Sequence, residues 1–247
     1  MISSFHKYLL RIGEDMFTKL DNTAKLVLYD KLENVNTLKS KKLFYHFSKR
    51  LFDVVVSFLC LFLLIPIAII IKILNIINKD FDSIFYIQER IGKDGKLFKL
   101  YKFRSMVPNA DEELKKILKS DKKLAKEYKI NKKLENDPRI TKVGRIIRKF
   151  SIDELPQLIN ILKGEMSFIG NRPYLPREKK DMKSYYKDII KTKPGLTGFW
   201  QCSLRNRGTF EDRLKMEKYY SNNYGFKFDI SIFLKTFSVV LGCKGAK

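Results

Sequence analysis

Two adjacent carboxylates, Asp153 and Glu154, carry cations on both sides in sequence: Arg145, Arg148 and Lys149 precede them, and Gly170–Asn171–Arg172–Pro173 follows. Carboxylates beside guanidinium and ammonium groups stay ionised at neutral pH, the state required of a nucleophile or a magnesium ligand. The flanking pattern predicts a helix. Leu155, Leu158, Ile159 and Leu162 fall at i, i+3, i+4 and i+7, Gly164 supplies a stop, and Ser151 with Glu154 has capping-box spacing. Pro156 lies just past the first turn if the helix starts at Ser151, and inside that turn if it starts near Asp153. Either start sets the pair at a helix N-terminus, where free N–H groups and the dipole favour anions such as phosphate. Capping alone is the ordinary reason for Asp and Glu at such a place. The surrounding cations are what turn the reading toward chemistry.

Other chemistries are excluded by composition. The chain of 247 residues has two histidines, His6 and His46, both ahead of a long apolar run, so neither a Ser–His–Asp triad nor a His-ligated zinc is expected in the main body. Cys60, Cys202 and Cys243 are isolated, which removes a disulfide framework and a Cys–x–x–Cys metal pair and implies a reducing compartment. There is no Walker A or Gly–x–Gly–x–x–Gly loop. Fifty Lys and Arg against 27 Asp and Glu give a net charge of +23, which calls for an anionic partner: nucleic acid, anionic lipid or a phosphorylated substrate.

The elements that would position the pair follow from patterning. Val54–Ile71 is an uncharged apolar run of eighteen residues, borderline against the roughly 20 needed to span a bilayer core. Pro66 favours a kink within it, and Lys and Arg flank it on both sides, which suits a segment that enters and leaves by one face. On these cues a re-entrant hairpin, a single kinked span and a buried core helix all remain open. Ser83–Gln88 and Leu97–Arg104 predict a β-hairpin turning at Asp94–Gly95. Helices are expected over 109–120 and 141–150. Another covers 229–241, where Ile230, Phe233, Leu234, Phe237 and Leu241 share a face suited to a membrane interface or a core. Trp200, Tyr219 and Tyr220 fit either setting too. Residues 1–48 read as helical or partly ordered, without assigned chemistry.

From about Lys49 onward the chain resembles the bacterial sugar transferase family, the monotopic polyprenyl-phosphate phosphoglycosyl transferases. The resemblance rests on five ordered blocks: KRLFDVVVS; FYIQERIGKDGKLFKLYKFRSM; DPRITKVGRIIRKFSIDELPQLINILKGEMSFIGNRP; KPGLTGFWQ; and TFEDRLKMEKYY with FDISIFLKTF. The insert between Met106 and Asp137 and the TGFWQ block look most like the branch that loads galactose or glucose 1-phosphate.

The resemblance implies a mainly α fold with a small β-hairpin, organised as an N-terminal extension (1–48), a re-entrant membrane helix-break-helix (49–79) and a cytosolic catalytic domain with interfacial amphipathic helices (80–247). It implies a Mg²⁺-dependent transfer of sugar 1-phosphate from a UDP-sugar to undecaprenyl phosphate. Asp153 would be the nucleophile that displaces UMP, and Glu154 the metal ligand. Lys102, Arg104, Arg145, Arg148, Arg172, Pro173 and Asp229 would support phosphate, nucleotide or metal, and Pro66 would break the membrane helix. The expected setting is the inner, cytoplasmic membrane of a bacterium with the active site on its cytoplasmic face, in contact with the lipid bilayer, without nucleic acid, and with a homodimer left open.

Three departures stand out. Ile65–Pro66 replaces the usual Ser–Pro break, Gly170–Asn171–Arg172–Pro173 replaces Gly–Pro–Arg–Pro, and Gln201 is followed by Cys202–Ser203–Leu204, so the sugar does not carry over. The rival classes are a membrane-tethered nucleic-acid-binding protein, which would explain the charge alone, and a non-catalytic scaffold, against which the intact Asp153–Glu154 pair argues.

Overall fold

The computed structural model describes residues 22–132, 134–204 and 208–241, without the side chains of 22–39, 131, 237 and 239–241. Residues 1–21, and Cys243, therefore lie outside the described residues. The chain divides into a unit of residues 1–49 and one of residues 50–247. Helix α1 (Asn22–Leu61) covers the described part of the first and continues into the second.

The apolar run is a broken helix. Helix α1 stops at Leu61, α2 spans Leu64–Ile77, and the two meet at a bend of 49°. The break falls at Phe62–Leu63, ahead of Pro66, which occupies the third position of α2 rather than the break itself. The cause is local: a proline clashes with the carbonyl four residues earlier, here Phe62, so the chain must turn before the ring and resume as a helix containing it. Among the described residues no single helix is long and apolar enough to cross a membrane. One side of α2 is buried, with Ile71 packed against Phe103, Val143 and Ile147. The other side carries Ile65 and Ile77, 66% and 70% exposed.

Strands β1 (Phe85–Ile91) and β2 (Leu97–Phe103) form the expected antiparallel hairpin, in register from Phe85 opposite Phe103 to Ile91 opposite Leu97. Asp94 and Gly95 adopt positive φ at the turn. Helices α3 (Ala110–Ser120) and α4 (Lys122–Asn131) are separated at Asp121, whose side chain caps α4 through the N–H groups of Lys123 and Leu124. Helix α5 spans Lys142–Lys149, capped by Thr141.

The expected helix over 151–164 divides. Ser151 takes a left-handed conformation and does not accept a capping bond, Ile152–Glu154 is a 3-10 turn, and helix α6 covers Gln157–Lys163. The capping box is therefore absent, because a serine at φ 57° turns the chain where an N-cap would start a helix. Its buried positions are Gln157, Leu158, Asn160 and Ile161, not the predicted stripe through Ile159 and Leu162, because the helix is enclosed on several sides. Gly164 ends it at φ 81°, as expected.

A second, parallel sheet joins β3 (Ser167–Ile169) to β4 (Gly195–Thr197). Three-residue strands carry no readable alternation, so the sequence holds no signal for this sheet. A Cβ on Gly195 would lie 2.1 Å from the Gly170 nitrogen, so only glycine permits the approach. Helices α7 (Tyr186–Ile189), α8 (Phe199–Ser203), α9 (Phe210–Asn223) and α10 (Phe226–Leu241) complete the chain. The expected apolar face of α10 is split: Ile230 and Leu234 are exposed, while Ile232 and Asp229 turn inward beside Tyr220, and the side chains of Phe237 and Leu241 are outside the description. Trp200 and Tyr220 are core residues and Tyr219 is exposed.

Candidate active site

Helix α6 is clamped before it can present anything. Asn160, fully buried, accepts from the Tyr101 N–H at 3.1 Å and donates to the Lys99 carbonyl at 2.7 Å and to Glu165 Oε2 at 2.7 Å, which locks the helix to β2. At its last turn Arg50 donates to the carbonyls of Ile161 and Leu162 at 2.5 and 2.7 Å, satisfying terminal acceptors that a helix otherwise leaves open. Asp53, one turn further along α1, accepts from Ser167 Oγ at 3.1 Å and the Phe168 N–H at 2.9 Å. The part of α1 that leads into the apolar run is thus hydrogen-bonded to both α6, which follows the turn carrying the carboxylate pair, and β3, which follows α6.

The cations reach the pair by two geometric rules. Side chains alternate along a strand, so Phe98, Leu100 and Lys102 share the inward face of β2, and Lys102 Nζ meets Glu154 Oε1 at 3.1 Å. On α5, a Cβ at Gly144 would stand 1.9 Å from the Ser105 carbonyl oxygen. This close contact brings the next turn of α5 in as well, and Arg148 Nε donates to Ser105 Oγ at 2.8 Å. Asp153 is 8% exposed. Burial pushes its carboxyl up to about 6, Glu154 adds to the rise, and Lys102 and Arg148 oppose it. Burial in turn holds the Arg148 guanidinium below its ordinary value.

Glu154, Lys102, Arg172 and Pro173 line one narrow cleft with Arg90, Leu100, Gln157, Gly195, Leu196 and Gln201. Of the residues singled out from sequence, the structure thus gathers Asp153, Glu154, Lys102, Arg148, Arg172 and Pro173. The others sit elsewhere. Arg104 follows β2, pairs with Asp80 at 2.7 Å and donates to the Ser83 carbonyl at 2.6 Å. Arg145 is on the exposed face of α5. Asp229 is buried in α10, accepting from Tyr220 Oη at 2.9 Å. A roomier groove of about 1030 Å³ runs by Asn75, Lys79, Thr141 and Lys142 and does not include the carboxylate pair. Sequence reasoning missed Arg90 and Gln157 as cleft residues. Gln157 lies three residues after Glu154, a spacing that could have flagged it, whereas Arg90 needs the strand register.

Mg²⁺ is commonly held by one or two carboxylates and completed by substrate phosphates and water. Asp153 and Glu154 fit that donor set, and among the described residues no cluster of three or more His, Cys, Asp or Glu offers an all-protein metal cage.

The site is thus a carboxylate pair flanked by Lys and Arg, with a polar cleft beside it, on a mainly helical scaffold. Residues 44–243 match the bacterial sugar transferase family, and the chain belongs to that family. It is 43% identical over 203 residues to the undecaprenyl-phosphate galactose phosphotransferase of Salmonella typhimurium, a match covering 81% of this chain and 42% of that protein. It is 40% identical over 200 residues to the exopolysaccharide production protein ExoY of Sinorhizobium fredii, covering 81% of this chain and 88% of that protein. A UDP-N-acetylgalactosamine-undecaprenyl-phosphate N-acetylgalactosaminephosphotransferase of Aeromonas hydrophila is 31% identical over 211 residues, covering 82% of this chain and 46% of that protein. The chain spans less than half the length of several curated relatives it matches.

Proposed function

We propose that this chain is a polyprenyl-phosphate sugar-phosphate transferase of exopolysaccharide or other glycan assembly, moving a sugar 1-phosphate of galactose or glucose type from a UDP-sugar to undecaprenyl phosphate with release of UMP. The observation that carries this reading is the buried Asp153 carboxylate beside Glu154, Lys102 and Arg148. An Asp153 oxygen attacks the β-phosphorus of the donor, the bond to the UMP oxygen breaks, and UMP leaves with that electron pair. A phosphate oxygen of the lipid acceptor then attacks the same phosphorus, forming the lipid diphosphate sugar and freeing Asp153. An ionised carboxylate needs no base, so the protein's contribution is alignment and charge neutralisation. Lys102, Arg148 and Arg172 supply positive charge around the transferring group, and the clamps on α6 hold Asp153 in line. Magnesium, held through Glu154, would add neutralisation of the phosphoryl oxygens when bound.

The second substrate is a lipid, and the exposed apolar residues of the α1–α2 bend support membrane seating. With basic residues on both flanks of the run, the reading is a re-entrant segment at the cytoplasmic face of the inner membrane. The relatives' names differ in their sugar, and the sugar here is chosen among their kinds by assay. The experiment is UMP release from several UDP-sugars by membranes carrying the chain, with undecaprenyl phosphate and Mg²⁺. Asp153→Asn should lower release by at least about 10³-fold, as expected when a covalent nucleophile is lost. Full turnover by that variant would sink the mechanism.

A further inference from the structure

We propose that Arg90 and Arg172 together form the diphosphate-binding wall of the cleft, with Arg90 a direct ligand to the donor's phosphates; this rests on the transfer reading above.

The placement of Arg90 follows from strand register. It lies opposite Phe98, so its side chain shares a face with Phe98, Leu100 and Lys102, and both Arg90 and Lys102 line the cleft. Only 8% of Arg90 is exposed. One terminal nitrogen donates to the Pro173 carbonyl at 2.9 Å and the other to Gln88 Oε1, while its buried Nε has no partner among the described residues. Arg172, on the same wall, also has a buried Nε without a partner, and its backbone N–H donates to Glu217 Oε1 at 3.2 Å.

Behind them Arg213, 4% exposed, stacks its guanidinium 4.1 Å from the Trp200 ring centre, and its Nε is unpartnered too. Buried charges are ordinarily paired, because desolvating a cation without a partner is costly. Here Arg213 and Arg172 act on the buried Glu217, whose Oε2 has no partner among the described residues, and Arg213 and Arg90 act on Glu178, which is already committed to the Leu175 N–H at 2.7 Å, so three guanidinium groups share two buried carboxylates. Burial, together with the charge of Arg172, holds Arg90 down at about 10. The arrangement is left short of negative charge at the cleft wall. A fork of N–H donors matches two oxygens of one phosphate, and a diphosphate supplies oxygens for both arginines at once.

Arg90 also holds the Pro173 carbonyl, so the test must separate ligand contact from loop support. Equilibrium binding of UDP and of uridine is measured on the detergent-solubilised full chain, wild type, Arg90→Met and Arg90→Lys, with thermal unfolding alongside. Direct phosphate contact predicts that Arg90→Met weakens UDP by at least about tenfold and uridine by less than about twofold, and that Arg90→Lys recovers part of the UDP loss because it keeps a point charge. Equal weakening of UDP and uridine, or unchanged UDP affinity in both variants, overturns the assignment. If Arg90→Met does not fold, Arg90→Lys alone decides it: a fork lost with charge kept should still weaken UDP and spare uridine, and no change overturns the claim. Wild type that neither binds UDP nor releases UMP would sink the transfer reading itself. Wild-type turnover with variants of normal UDP affinity would sink only the role of Arg90.

Discussion

The bent α1–α2 segment and the cleft are opposites, and each inverts the usual distribution of side chains. On the bend, Phe62, Ile65, Ile69, Ile70 and Ile77 are exposed, although burying each would be worth about 1.5–3 kcal/mol. Around the cleft, Arg90, Asp153, Arg213 and Glu217 are buried, although charges normally stay in water. A contiguous exposed apolar surface marks an interaction site, and clustered buried charges mark a functional one. Under the proposed function an apolar phase would complete the first region and an anion the second. Arg50 and Asp53 bind the base of the bend directly to α6 and β3, so the two inversions share one support.

The contrast can be broken most severely from the charged side. Arg213→Met leaves Glu217 buried without the cation that most opposes its burial and should cost about 3–5 kcal/mol of stability, read by denaturant unfolding at pH 8. A loss under 1 kcal/mol would mean the cluster is not held by that pairing. The apolar side gives the next largest effect. Ile70→Lys should leave the unfolding midpoint unchanged, since Ile70 is exposed, while costing about 2.5–3.5 kcal/mol in membrane partition. Fractionation checks it. A fallen midpoint with unchanged membrane recovery would mean that protein, not lipid, covers that face.

The smallest effect sharpens the charged region. Burial raises the Glu217 carboxyl to about 7 from an ordinary value of 4.5. The folded state therefore binds its proton more tightly than the unfolded chain. Its contribution is complete below about pH 4.5 and disappears as pH rises to about 7, a slope of up to about 1.4 kcal/mol per pH unit. Glu217→Gln keeps an oxygen for the Arg172 N–H and should flatten this dependence. An unaltered slope would assign the titration to another group.

Local text carried much of this. Asp94–Gly95 announced the hairpin turn, the basic stretch 141–150 announced α5, and the ordered blocks singled out Asp153 and Glu154, which the structure sets beside Lys102 and Arg148. Where neighbours within a few residues decide conformation, a linear reading suffices. It failed where a distant segment decides. Ser151 offered a capping box and instead turned left-handed, because α5 is pressed against Ser105 and the chain must reverse sharply to reach β2. The stripe on α6 was misread because Asn160 and Gln157 are buried against strands and loops far away in sequence.

The sequence by itself determined the apolar run, the positive charge and the identity of the carboxylate pair, since these depend on residue type and short spacing. Tertiary structure alone decided that Lys102 and Arg172 face that pair while Arg104 turns to Asp80, and that Arg90 joins the wall. Those partners are brought together by strand register and by close backbone approach. Both are set by packing across the whole domain, which no local spacing encodes.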